Sequence, residues 1–521
     1  MPNKIKALAL GAIALAVTAM INVPVYGVVG ELGFFGGIST GTRLPKTTEI
    51  LLRQQENNRG NNRSSQPMTY KEVVFLDGQP RVFEGILTPT LRYIPENGQG
   101  ANNNNRIGTI NDIYVVGPSD TSPDDVTIAR NISFDVNFRI EGNQVIRDYQ
   151  VRSWAETITV PGGTFVLDPR QSQFTVSIIE DIRAGVTFYR GDLSIRAFYR
   201  NQDNDEVVID NRSGSFYGFR SAWSATETHR IDSTITAPGW QMQLQLRPSV
   251  SVSKFLQYTQ NEPTAISFPG NFREVMQNVS AMEWNVFHRP HQFSEFDSEG
   301  RVTIPTFNTF EQLISPNLNF LRGHPAEFDI SRLFAMQILD GDPRFFRPEQ
   351  AITRGQFTAA LARALKLQIT PPIQNPVGRR NVVTLVFPDV PASRPEYPYI
   401  MAARRFGLAL GREDGRFHID SPLDRQEAIA LMIRSLGLED MGIYPAPVTI
   451  FTDDHLISPW ARRELYVAEW VGLVTGDANG NVRPTDFITN AEAAAMINRL
   501  IEYMRFDLAL DYTDHIVNYA G

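Results

Sequence analysis

The sequence predicts a multidomain chain in which an all-β domain, antiparallel and sandwich-like, precedes an all-α region of three helical repeats. Two observations carry this expectation. Across residues 68–305, and most clearly over 68–265, short β-branched and aromatic runs alternate with turn signals and no helical periodicity intervenes. From about residue 310, Ala-rich segments with apolar spacings of three and four take over, and they recur at a period of roughly 70 residues.

Composition narrows the function classes. The 521 residues are ample for several separately cored domains. With 49 basic and 57 acidic residues the formal charge is −8, so no broad basic field exists to hold nucleic acid by counterion release. The chain has no cysteine, which excludes disulfides, thiolate metal sites, a Cys nucleophile and a lipid-modified Cys. Lys occurs only at positions 4, 6, 46, 71, 254 and 366, so the cationic chemistry is that of Arg, a residue suited to planar carboxylates; GC-rich coding would produce the same bias.

Residues 1–27 read as an export signal, with Lys4 and Lys6 ahead of an apolar run from Ala7 to Ile21. That run is too short for a comfortable membrane span, although a retained anchor is an alternative. No later stretch approaches the roughly 18 apolar residues a membrane helix needs. The mature chain is therefore expected to be exported, with no membrane span. Residues 28–67 are expected to be a flexible segment, because 51–67 (LLRQQENNRGNNRSSQP) is too polar to offset its ordering entropy. Glu96 to Arg106 is expected to be a long loop inside the strand region.

Asp77-Gly78, between Val73-Val74-Phe75 and Val82-Phe83, is a hairpin signature. Further strands are expected at Asp112 to Val116, Val126 to Ile140, Tyr149 to Val160, Gln173 to Ile179, Gly185 to Tyr189, Leu193 to Tyr199, Val207 to Ile209 and Gln241 to Val252. The aromatic pairs flanking Gly191-Asp192 suggest another hairpin. Many short strands without helices between them point to an antiparallel sandwich. The acidic pair Glu180-Asp181 is expected on a solvated strand end. Trp154, Trp223, Trp240 and Trp284 are expected mainly in the core, with stacking on sugars as the alternative.

The three helical units span 310–370, 380–440 and 447–505, and a short tail follows at 506–521. Each ends in an amphipathic stretch: FTAALARALKL, EAIALMIRSLGL and EAAAMINRLIEYM. In the third unit Phe451-Thr452-Asp453 is followed by Trp460-Ala461, Gly472-Leu473, a Gly476–Asn481 loop, Arg483-Pro484 and Thr489-Asn490-Ala491-Glu492. The second unit repeats the pattern with Phe387-Pro388-Asp389, Gly407-Leu408, Gly411 to Gly415, Phe417 and Asp424-Arg425-Gln426-Glu427; the first has Phe346-Arg347-Pro348 and Thr353-Arg354-Gly355-Gln356 but no Phe-x-Asp. Gly411 to Asp424 and Gly476 to Thr489 are both thirteen residues apart. Thr353, Asp424 and Thr489 are N-cap residues, and Gln356, Glu427 and Glu492 stand where a capping box needs them. Capping does not explain Arg immediately after the cap, nor a Gly loop at fixed distance upstream.

On these motifs, residues 310–505 resemble the S-layer-homology family. The resemblance implies a bundle in which three repeats pack with pseudo-threefold symmetry and inter-repeat grooves bind pyruvylated secondary cell-wall polysaccharide. Carried over by position, it implies that Arg354 and Arg425 bind the ketal-pyruvate carboxylate. Asp389, Asp453 and Trp460 would shape the grooves, and Glu427 and Glu492 would complete the binding motif. A guanidinium at a helix N-terminus would add the dipole's preference for anions. The repeats depart from one another: Asn490 replaces the Arg in the third, Asp424 and Ile419 replace Thr and Pro in the second, and Gln337 stands in the first where its counterparts have Gly.

No catalytic, metal or cofactor site is expected. Asp477-x-Asn479-x-Asn481 begins like a calcium loop but lacks the Glu at its twelfth position, where Ile488 stands. Gly37-Ile38-Ser39-Thr40-Gly41 matches a nucleophile-elbow pattern without a sheet to display it, and His288-Arg289-Pro290-His291 reads as a polar loop. The expected function is that of a non-enzymatic cell-surface protein, S-layer-like or appendage-like and able to self-associate, anchored to the wall with no nucleic-acid partner. The alternative is an anchored carbohydrate-binding or glycan-degrading protein. An outer-membrane barrel is disfavoured because the repeats are C-terminal and the strand region reads as short and irregular.

Overall fold

A computed structural model describes residues 37–39, 64–65, 68–95, 107–118, 124–259, 271–289, 298–305, 308–313, 318–369, 386–443, 445 and 448–511. The export segment, the Glu96 to Arg106 loop, most of 28–67, and His291 lie outside the described residues. A strand-rich N-terminal region is followed by a helical C-terminal region.

The strands form one 16-stranded sheet among the described residues, where the sequence suggested a sandwich. They are β1 (Ile38–Ser39), β2 (Ser64–Ser65), β3 (Met68–Val74), β4 (Arg81–Pro95), β5 (Ile107–Pro118), β6 (Thr127–Glu141), β7 (Gln144–Val160) and β8 (Gly163–Leu167). There follow β9 (Gln173–Ile182), β10 (Val186–Arg200), β11 (Glu206–Ser221), β12 (Ser224–Ala237), β13 (Trp240–Thr259), β14 (Asn271–Arg289), β15 (Ser298–Ile304) and β16 (Thr309–Leu313). Short connections such as 142–143, 222–223 and 238–239 keep successive strands adjacent and antiparallel, so the chain meanders instead of crossing to a second sheet. The Asp77-Gly78 hairpin joins β3 to β4 with Val74 opposite Arg81. The sheet curls: β1 lies against β13 and β14, and β3 against β15, so its first and last strands approach each other.

The second expected hairpin is absent. β10 runs straight through Gly191-Asp192, pairing with β9 on one side and β11 on the other. Gly191 serves packing instead, since a Cβ there would lie 2.2 Å from the Phe216 ring and 2.5 Å from the Ser177 carbonyl. Ile38–Ser39, inside the expected flexible segment, pairs with Lys71 and Tyr70 of β3 and buries Ile38.

Period-two alternation sorts the faces. Along β10 the inward residues are Leu193, Ile195, Ala197 and Tyr199, and the outward ones Arg190, Asp192, Ser194, Arg196 and Arg200. A lipid-facing barrel needs the reverse, an apolar outer band. Many of the strands are nevertheless long, up to 20 residues, with register shifts at Ser133/Phe134, Leu193/Ile195 and Asp210/Ser213, so the outward charge along β10 is a better argument than strand length. No helix among the described residues is long and apolar enough to cross a membrane.

The inner face also holds ion clusters. Arg130 bridges Glu72 (2.8 Å) and Glu156 (2.6 Å), with Tyr70 and Trp154 donating to those same carboxylates. Glu180, expected on a solvated end, is 1% exposed and lies 2.6 Å from both Arg147 and Arg220. Its position on the inward register of β9 decided this. Trp154 and Trp223 are buried, and Trp240 and Trp284 are partly buried against the core.

The helical region contains α1 (Glu327–Ala335), α2 (Arg354–Ala364), α3 (Tyr397–Arg405), α4 (Arg425–Leu436), α5 (Arg462–Trp470) and α6 (Asn490–Arg505). The first helix of each repeat packs on the second helix of the preceding one: α3 on α2, α5 on α4, and α1 on α6. Gln337 adopts φ +57°, matching Gly407 at +73° and Gly472 at +70°, so the first repeat makes the same left-handed turn without its glycine.

The two regions share a core. Val186, Phe188, Phe219 and Trp223 of the sheet belong to the same buried cluster as Leu361, Leu365, Ile433 and Leu436. At this junction the sheet caps the ends of the second helices. Trp223 Nε1 donates to Ala364 O (2.9 Å), Gly185 N to Ser435 O (2.6 Å) and Ser224 Oγ to Met504 O, satisfying carbonyls that a helix C-terminus leaves without partners.

Candidate functional site

The opposite ends of α2, α4 and α6 meet at the repeat junctions. Thr353 Oγ1 accepts from Gln356 N, Asp424 Oδ1 from Glu427 N and Thr489 Oγ1 from Glu492 N, so all three expected N-caps are present. The reciprocal half of the capping box forms at Thr353 and Thr489. Just before the caps, Ile352 N donates to Ile488 O, Ile488 N to Leu423 O and Leu423 N to Ile352 O, a closed cycle at 3.0–3.1 Å.

A second cycle surrounds the first. Arg354 N and Gly355 N donate to Ser421 O and Ile419 O of repeat 2. Arg425 N and Gln426 N donate to Asp486 O and Pro484 O of repeat 3, and Asn490 N and Ala491 N to Gln350 O and Pro348 O of repeat 1. The first free amides of each helix are thus consumed by the neighbouring repeat and the third by the cap. The amides through which a helix N-terminus would hold an anion are therefore occupied by the protein itself, and side chains remain to bind any ligand.

Arg354 reaches across to repeat 2: Nη1 donates to Glu427 Oε1 (2.9 Å), Nη2 to Leu410 O (3.0 Å), and the guanidinium lies 5.0 Å from the Phe417 ring centroid. Arg425 makes the equivalent pair with Glu492 of repeat 3. The Nε of each arginine is buried without a hydrogen-bond partner. Asn490 cannot form such a pair; its side-chain amide donates to Arg347 O (2.8 Å). Burial raises the Glu492 pKa, but the Thr489 amide together with Arg425 and Arg483 outweighs it and holds the carboxyl below its usual range.

The two Phe-x-Asp aspartates have a different place. Asp389 accepts from the backbone amides of Phe417, His418 and Ile419 (2.9, 2.6 and 3.3 Å), and Asp453 from those of Val482 and Arg483 (2.8 and 2.7 Å). Each clamps its own repeat's loop, and that loop carries the carbonyls on which the preceding helix docks. Trp460 is 49% exposed and stands 6.0 Å from the Arg434 guanidinium, on the third turn of α4, away from Arg425 at its start. The structure therefore pairs Arg354 with Glu427 and Arg425 with Glu492, sets Asp389 and Asp453 beneath the junctions, and leaves Trp460 apart.

Sequence reasoning missed Arg412 and Arg483, which donate to Glu427 (3.1 Å) and Glu492 (3.2 Å). They occupy different positions in their loops, so aligning the repeats could not have found them. Asp477, the head of the calcium-like loop, accepts from the Asn479 and Asn481 amides instead.

Comparison with known proteins bears on these repeats. The family model described as S-layer homology domain matches residues 321–358, 386–429 and 450–494. The chain is 29% identical over 191 residues to an amylopullulanase of Thermoanaerobacterium thermosulfurigenes, covering 35% of this chain and 9% of that protein. It is 27% identical over 190 residues to a surface-layer 125 kDa protein of Lysinibacillus sphaericus, covering 36% and 15%. It is also 27% identical over 176 residues to a cellulosome-anchoring protein of Acetivibrio thermocellus, covering 33% and 37%. The chain thus spans between 9% and 37% of these relatives' lengths. The C-terminal region of the chain consists of three S-layer homology domains, which assign the protein to the cell surface or cell wall.

Proposed function

We propose that this is a non-enzymatic surface protein that binds pyruvylated secondary cell-wall polysaccharide non-covalently through its repeat junctions and displays its β-rich region outward. The observation that carries the reading is the pair Arg354 and Arg425. Each is a guanidinium at a junction between repeats, held on one edge by a glutamate and with its Nε unpartnered. A ketal carboxylate is the planar, bidentate anion that such a fork recognises. Glu427 and Glu492 orient the arginines, and Asp389 and Asp453 hold the loops that shape the grooves; Trp460, exposed beside Arg434 and away from Arg425, has no part in that geometry. The closed hydrogen-bond cycles support a pseudo-threefold packing of the repeats.

The geometry also suggests a direction of display. α2 carries its junction at Arg354 and its sheet contact at Ala364, about 15 Å apart at the rise of an α-helix. Grooves and β-rich region thus sit at opposite ends of the helices. Self-association into a layer or filament is part of the same proposal. The test is retention of the whole chain on purified wall sacculi before and after removal of the pyruvylated polymer, with R354Q and R425Q alongside. Weakened retention in either variant supports the reading; retention unchanged in both, or undiminished binding to stripped sacculi, refutes the proposed ligand.

A further inference from the structure

The three junctions are chemically unequal. At the first, Glu427 Oε1 is shared by two guanidiniums, Arg354 at 2.9 Å and Arg412 at 3.1 Å. Arg354 is largely buried, its side chain 11% exposed, whereas Arg412 is 49% exposed and has Glu427 as its one described carboxylate contact. Glu427 carries both guanidiniums, with the Asp424 carboxylate beside it capping the same helix, and Arg412, half exposed and held by one ion pair, is the freer of the two arginines.

The second junction repeats the sharing with Arg425 and Arg483 on Glu492. Arg483, however, is divided among three carboxylates: Glu492 at 3.2 Å, Asp477 at 3.8 Å and Asp486 at 3.9 Å. An incoming anion there meets two further carboxylates already paired with Arg483, against the single further carboxylate, Asp424, at the first junction. The third junction has Asn490 in place of the helix arginine and Gln356 in place of the glutamate.

Resting on the anchoring function proposed above, we infer that the junction between repeats 1 and 2 is the principal anion-binding site and that Arg412 is its second ligand-binding arginine. A carboxylate borne on a saccharide docks against Arg354, and Arg412 turns from Glu427 to close over it. Arg354 supplies a fixed donor held over Phe417, and Arg412 supplies a mobile one. At the second junction Arg483 is too well occupied to do the same, so binding ranks first junction, second, third.

Full-length wild type, R412Q, R483Q and E427Q are compared for binding to purified sacculi at low and moderate salt, with thermal melting as a control. R412Q should weaken binding by at least about tenfold, the loss expected for a hydrogen bond to a charged group, and R483Q by less than about threefold. E427Q, which retains an acceptor but removes the resident charge, should tighten binding. If Arg412 served only to brace Glu427, R412Q and E427Q would weaken binding together, which overturns the inference. Unchanged binding by R412Q, or a larger loss in R483Q, overturns it as well and leaves the anchoring function standing. Failure of wild type to bind sacculi overturns the anchoring function itself.

Discussion

Trp223 belongs to the strand-rich region by sequence and to the helical core by packing. It is 1% exposed in the β11–β12 connection, donates to the last carbonyl of α2 at 2.9 Å, and carries the Lys366 ammonium 5.2 Å over its ring. Trp223→Ala removes a fully buried aromatic, a change that costs about 3–5 kcal/mol, and leaves the Ala364 carbonyl without its donor, about 1–3 kcal/mol if water cannot reach it. Trp223→Phe keeps most of the ring and isolates the second effect. The assay is urea unfolding followed at a helix-reporting far-ultraviolet wavelength. In W223A the helical transition should move to distinctly lower urea, with W223F between it and wild type. A helical transition displaced by less than about 0.5 kcal/mol, the range of ordinary surface substitutions, would refute the shared core. The same core bears on experiments with the repeats alone, because cutting near residue 310 would strip Val186, Phe188, Phe219 and Trp223 from it.

Three further outcomes follow from the packing. Gly185→Val should destabilise by about 1–3 kcal/mol, because even a Cβ there would lie 2.8 Å from Leu365 and 2.9 Å from Leu436; thermal melting of the full chain checks it. Arg130→Met should destabilise by about 3–5 kcal/mol, since it leaves Glu72 and Glu156 charged and buried without a counterion; adding Glu72→Gln and Glu156→Gln should recover part of that loss in denaturant titrations. Asp389 gives a pH dependence: burial raises its pKa, but the amides of Phe417, Ile419 and His418 outweigh that and hold it below the ordinary 3.8. A depressed folded-state pKa means its contribution is complete above about pH 3.8 and is lost as pH falls through the lower folded value. Amide exchange at Phe417 and His418 should therefore accelerate in acid below that point, and D389N should show fast exchange already at neutral pH.

Much of the helical region is written locally. Thr353, Asp424 and Thr489 cap their helices because a short oxygen side chain followed three places on by Gln or Glu satisfies the first amides wherever the chain lies. The thirteen-residue spacing of the loops shows as plainly, and so does the strand alternation that turns Leu193 and Ile195 inward. Gly191 misled because glycine breaks strands and also admits a neighbour's ring, and only the position of Phe216 distinguishes the two. Glu180 misled because a carboxylate looks solvated until Arg147 and Arg220 arrive from other strands.

The sequence by itself determined three capped helical repeats, a strand-rich region ahead of them and the arginines that follow two of the caps. Only the tertiary structure decided what those arginines touch. Glu427 lies 73 residues from Arg354, and Arg412 joins the pair from a loop position its counterpart Arg483 does not share. Only it, too, decided that the sheet curls around its own core and also joins the helical one, plugging the far ends of the helices through Gly185, Trp223 and Ser224. Capping and periodicity act over a few residues, and their physics is legible in a window of sequence. Ion pairing and core sharing join residues brought together by chain closure over 70 to 280 positions, where no local preference marks the partner.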